Sequence, residues 1–173
     1  MSVSLSKASV GTFIQSLDAL GAVLDKAAAY AAAKKIDPAV LAATRLYPDM
    51  LPLSRQVMIA TDQAKNGTAR LVGVEAPKFE DNETTIDQLK ARVVKTVAYL
   101  RTVDTAKLDG AGEKEIVFPV GPNKMKMKGG DYLVLFVLPN FYFHVTMAYA
   151  VLRECGAEIG KRDFLGAVPM TPA

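Results

Sequence analysis

The chain has 173 residues and 18.6 kDa, with half of its residues hydrophobic, 23 % charged and a formal net charge of +3. That profile fits one soluble globular domain over 1–173 with room for a sizeable core, and the charge is too mild to argue for nucleic acid, which asks for a clustered basic face. The lone cysteine, Cys155, excludes an internal disulfide framework and fits a reducing, cytoplasmic setting.

The opening "MSVSLSKASVGTFIQSLDALG" lacks a basic segment followed by an apolar one, so no secretory leader is expected. From about Ser4 to Lys34, the residues Leu5, Phe13, Leu17, Leu20, Leu24, Ala28 and Ala31 recur at three- and four-residue spacing and predict a long helix. Its second half, "KAAAYAAAKK", is rich in the best helix former. Asp37-Pro38 then supplies an N-cap with proline at the first helical position, predicting a short helical turn. Pro48 and Pro52 bracket a bend; "YPDMLP" needs no role beyond making that bend, the other reading being the rim of a pocket.

The second long helix is expected from Pro52 to just before Gly73, with Asn66-Gly67 as a place where it could end early and Ala69, Leu71 and Val72 arguing that it continues. After the polar link "VEAPKFEDNE", a capping box at Thr85 to Gln88 opens the third helix. Ile86, Leu89, Val93, Val97 and Leu100 form its apolar stripe, with Arg92, Lys95 and Arg101 expected to point outward, and Asp104 to Gly112 closes it.

Residues Glu113 to Lys128 alternate around the turn Gly121-Pro122-Asn123 and predict a small β-hairpin. Lys124, Lys126 and Lys128 share one strand face, where charge guards a sheet edge; nucleic acid is not expected as a partner. Gly129-Gly130-Asp131 caps a fourth helix that runs to Cys155, with Gly156 as its stop. Tyr132 to Val151 carries no charged side chain and is long enough to span a bilayer. Pro139, Asn140 and His144 near its middle argue against a membrane and for a buried central helix, expected to be the most buried of the four and able to meet a second subunit. The tail "AEIGKRDFLGAVPMTPA" is not helical by pattern, although Ile159, Phe164 and Leu165 are candidates for packing back on the body. "GAEIGK" follows a helix and lacks a hydroxyl residue after the lysine, so it is not a phosphate loop. The fold class expected from these elements is all-α: a four-helix bundle with a small β-hairpin inserted before the last helix.

"RLYPDMLPLSRQV", "KFEDNETTIDQLKARV" and "NFYFHVTMAYAVLRECGAEIGKRDFLG", in that order, resemble a family catalogued only as a domain of unknown function and grouped with the DinB-like helical bundles. The resemblance covers nearly the whole chain and implies a DinB-like bundle, as a homodimer, with no established activity. The wider group is similar to metal-dependent enzymes, including thiol-dependent transferases and isomerases, that use one histidine on the second helix and a pair spaced by four on the fourth. His144 matches the first of that pair, but the position four residues on is Ala148 and the second helix has no histidine.

His144 is the only histidine in the chain. On its helix face lie Asn140, Ala148 and Val151, and the polar groups that the second helix could turn toward it are Arg55, Gln56 and Asp62. A transition metal wants three or four protein ligands, so no metal and no cofactor is expected. The favoured reading is a core histidine hydrogen-bonded to Asp62, a tyrosine or a backbone carbonyl. The alternative is a transferase or isomerase in which His144 is the acid/base, oriented by Tyr142, Tyr149, Tyr47 or Asp49. Cys155 lies three turns from His144 and cannot pair with it as a nucleophile. The candidate site residues are therefore His144 for catalysis, and Asn140, Tyr149, Arg55, Gln56 and Asp62 for binding. The expected function is that of a homodimeric bundle that has lost the three-histidine metal site and binds a small molecule or a partner.

Overall fold

The computed structural model describes residues 3–171. A π-helical turn, Lys7–Gly11, leads into α1, Thr12–Lys34, which ends where Lys35 turns left-handed. The Asp37 side chain accepts from the Ala39 amide at 2.8 Å and starts α2, Pro38–Ala43. Helix α3, Leu53–Val72, runs without a break to Gly73 at φ +78°, so Asn66-Gly67 does not end it. The Thr85/Gln88 capping box starts α4, Ile86–Arg101, and Asp104 caps the short α5, Thr105–Asp109. Strands β1, Glu115–Val120, and β2, Asn123–Lys128, pair antiparallel. The last long helix is continuous over Gly129–Glu154: α6, Gly129–Asp131, a π-helical stretch Tyr132–Val137, and α7, Leu138–Glu154. The tail, expected to be irregular, forms α8, Lys161–Leu165.

Four long helices close a ring in the order α1, α4, α3, α7. Phe13, Leu17 and Leu24 of α1 meet Leu53, Val57 and Ala64 of α3, Leu89 and Leu100 of α4, and Phe141, Ala148 and Leu152 of α7 in a single core, all of them fully buried. Phe13 and Phe141 stack edge-to-face, 4.8 Å between centroids. The hairpin is held on the bundle by Phe118, whose ring lies 4.6 Å from Tyr132 and 4.7 Å from Phe136. Its register pairs Ile116 with Met127 and Phe118 with Met125, leaving the three lysines on the outer face.

The π-helical stretch has a local cause. Pro139 has no amide hydrogen to give to the preceding turn, and the helix widens just before it, as π-bulges do. The side chain of Asn140 donates to the Phe136 carbonyl at 2.7 Å, serving an oxygen in the widened turn. The same turn pushes Val137 against α3, where a Cβ on Gly67 would sit 2.6 Å from Val137 Cγ1. Gly67 is therefore a close-approach residue inside α3.

Three expectations need correction. The last helix is not the most buried member: nine of its twenty-six residues over Gly129–Glu154 are buried, against twelve of twenty in α3. It sits at the edge of the ring with one face turned out, where Leu135 is 66 % and Phe143 54 % exposed. Arg92 points inward, not outward, because α4 turns it toward a nest of carboxylates from α3 and the loop after it. In the tail, Asp163 accepts from the Gly160 amide at 2.8 Å and pairs with Lys26 at 2.7 Å, which organises α8 where the hydrophobic pattern gives no signal. Ile159 is buried and Phe164 packs on Tyr149, whereas Leu165 stays exposed.

Candidate functional site

The polar spot around His144 lies in the seam between α3 and α7. Gln56 is 2 % exposed on the inner face of α3, and its amide nitrogen donates to the Leu51 carbonyl at 3.1 Å. That bond fixes the amide, so Oε1 is the acceptor and the Nδ1–H of His144 donates to it at 2.7 Å. The neutral imidazole then carries its lone pair on Nε2. Among the described residues the only fully buried side-chain polar atom without a partner is the Tyr99 hydroxyl, so Nε2 keeps contact with solvent. Burial pushes the His144 pKa below the ordinary imidazole value. Among the described residues no carboxylate touches the ring to oppose that shift, and the imidazole is neutral at pH 7.

The other residues named from sequence do not gather around it. Asp62 bonds to Arg92 at 2.8 Å and Lys65 at 3.1 Å, farther along α3. The partner of His144 is thus Gln56, not Asp62, a tyrosine or a backbone carbonyl, because Gln56 is the α3 residue that faces α7 at this level. Arg55 is exposed and its Nη1 lies 3.4 Å from Met58 Sδ. Asn140 is spent on the Phe136 carbonyl. Tyr149 stacks on Phe164, and the Tyr142 hydroxyl lies 3.5 Å from Ser16 Oγ. Tyr47 and Asp49 are exposed in the bend. Cys155 gives its carbonyl to the Tyr30 hydroxyl at 2.7 Å, and burial raises its thiol pKa.

These residues do not fit a metal ion. No three histidine, cysteine or carboxylate side chains converge among the described residues, and a single imidazole opposite an amide falls short of the donor set a transition metal takes. Clefts between α1 and α4, along α3 beside residues 74–81, and next to Tyr30 have volumes of about 420, 510 and 670 Å³, and His144 lines none of the three.

A second polar cluster escaped the sequence reading. Arg92, 2 % exposed, donates from Nε to Thr61 at 2.7 Å, and pairs with Asp62 at 2.8 Å, Asp81 at 2.7 Å and Glu83 at 3.1 Å. Burial works to discharge the guanidinium, but Asp62, Glu83 and Asp81 together outweigh it and raise its pKa. Phe79 lies under both cations, 4.1 Å from Lys65 Nζ and 4.9 Å from Arg92 Cζ. The signal was present: Arg92 stands one turn from Leu89 and from Thr96 on the buried stripe, downstream of the acidic run "FEDNE".

The ring of four helices with a hairpin before the last one is a DinB-like bundle, and solved structures carry the same fold. A structure described as a DinB family member protein from Shewanella denitrificans superposes with a TM-score of 0.91 at 40 % sequence identity, covering 98 % of this chain and 96 % of that one. The family model described as a domain of unknown function (DUF1993) matches residues 5–165, and the chain belongs to that family. No curated protein matches the sequence.

Proposed function

We propose that the chain is a cytoplasmic homodimeric binding module, a DinB-like bundle without a metal centre that recognises a small molecule or a partner and does not turn over substrate at His144. The observation that carries this reading is the Gln56–His144 bond, which ties Nδ1 to a neutral amide, while among the described residues no further metal-ligating group converges at Nε2, where an enzyme of this architecture would need ligands. A nucleophile beside the ring is also missing among the described residues, and the clefts described above lie elsewhere.

The homodimer rests on the outer face of the last helix. Val134, Leu135 and Phe143 are each more than half exposed, the exposed Pro139 and Thr146 share their helix face, and no charged residue occurs from Tyr132 to Leu152. An uncharged face of this length marks a protein contact. An antiparallel pair of these helices about a two-fold axis near residues 142 and 143 would set Leu135 against Ala150 and Pro139 against Thr146, and would bring Asp131 at one end beside Arg153 at the partner's other end. The helix is long and apolar enough to cross a bilayer by length and composition, but its inner face holds the bundle core, and a second copy is the better cover for its outer face. Sedimentation velocity tests this: the wild type is expected to run as a dimer and Phe143→Glu as a folded monomer. A monomeric wild type, or a Phe143→Glu dimer of unchanged stability, contradicts it.

A further inference from the structure

The cleft along α3 has a feature that neither the helix seam nor the dimer face uses. Its volume is about 510 Å³, and it lies between α3 and the strap that follows, with Asn66, Arg70, Val74 and Phe79 in its wall. Of the cations in the cleft, Lys65 is matched to Asp62 at 3.1 Å and the exposed Lys78 to Glu75 at 3.5 Å. The three carboxylates of the lining are all engaged, since Asp81 is held by Arg92 at 2.7 Å. Arg70 is different. It is half-buried, and among the described residues it is the one lysine or arginine withdrawn from solvent that has no carboxylate partner.

Its Nη1 donates to the hydroxyl of the fully buried Tyr132 at 3.0 Å, which orients the guanidinium and leaves further N–H donors free. One turn earlier on the same face stands Asn66, whose side chain makes no hydrogen bond among the described residues. Residues four apart on a helix are neighbours, so a planar fork and an amide donor face the same space. A guanidinium fork matches a carboxylate bidentately. The engaged acids around it repel multiply charged anions, and Val74, Ala69 and Phe79 offer apolar wall to a short hydrocarbon body.

We infer that the α3 cleft is a binding site for a small molecule bearing one carboxylate, received by Arg70 and Asn66 with its apolar part against Val74 and Phe79. The site is complete within one chain and stands whether or not α7 forms a dimer. The test is a titration of sodium isobutyrate followed by thermal unfolding, against sodium chloride at matched ionic strength, with sodium phosphate as a second probe. The wild type is expected to show a saturating rise in melting temperature with isobutyrate and none with phosphate. Arg70→Gln should weaken the response at least about tenfold, as loss of a bidentate charge-assisted pair does. Because Arg70→Gln also frees the Tyr132 hydroxyl, Val74→Glu provides a second check: Val74 is 50 % exposed, so the added carboxylate should abolish the response without lowering the unliganded melting temperature. No saturation with isobutyrate, a response in either variant as strong as that of the wild type, or saturation with phosphate alone would overturn the inference.

Discussion

His144 Nδ1 and Gln56 Oε1 lie 2.7 Å apart across the α3–α7 seam, and the other end of the Gln56 amide is tied to the Leu51 carbonyl. Two polar side chains thereby become one satisfied unit in an otherwise apolar interface, and each is costly without the other.

His144→Phe removes the donor and leaves Gln56 Oε1 buried without a partner. The expected loss is about 1–3 kcal/mol, the usual cost of an orphaned polar group. Adding Gln56→Leu should recover part of it, since the orphan is then gone. Chemical denaturation at one fixed protein concentration measures both, and equal losses in the single and double variants would contradict the pairing.

The same burial sets a pH dependence. The folded-state pKa of His144 is lowered, so between that pKa and the unfolded value of about 6.5 the unfolded chain binds the proton and the folded chain does not. Stability from this group is therefore complete above about pH 6.5 and falls as pH drops toward the lowered pKa. Below it both states are protonated and the loss levels off. His144→Gln should flatten this part of the profile. Asp109 and Asp163, whose pKa values are lowered by the Ser6 amide and by Lys26, contribute in a separate window below about pH 4.

Arg92→Met should be far more damaging than an exposed arginine substitution. It strips Asp62, Asp81 and Glu83 of their shared cation, and breaking a buried ion pair from one side costs about 3–5 kcal/mol. The carboxylates are 27 %, 40 % and 14 % exposed, so the low end of that range is expected. Urea denaturation of Arg92→Met beside Arg101→Met makes the comparison. Similar small losses in both would mean that the strap does not depend on Arg92.

Much of the architecture was legible because it rests on local rules. The stripes of Leu17, Leu20 and Leu24 and of Leu89, Val93 and Leu100 name the core faces, and Asp37, Thr85/Gln88 and Gly73 mark helix ends by capping chemistry that acts over three or four residues. What was missed depends on contacts distant in sequence. Periodicity places Arg92 near the core stripe, but only the return of Asp81 and Glu83 over α4 makes it an inward residue. Gly67 reads as a helix breaker until Val137 is packed against it. The uncharged run from Tyr132 reads as a wholly buried helix, since composition does not distinguish a face covered by the bundle from one turned outward, as Leu135 and Phe143 are. Six candidates named from sequence divide in the same way: Gln56 and His144 meet, while Asn140, Tyr149, Arg55 and Asp62 are each engaged or exposed elsewhere.

The most direct test of the account is the metal content of untagged protein purified without chelator, by elemental analysis, alongside His144→Ala. No stoichiometric transition metal is expected in either protein. One equivalent of zinc, nickel or iron per chain in the wild type, absent from His144→Ala, would contradict it and make His144 a ligand.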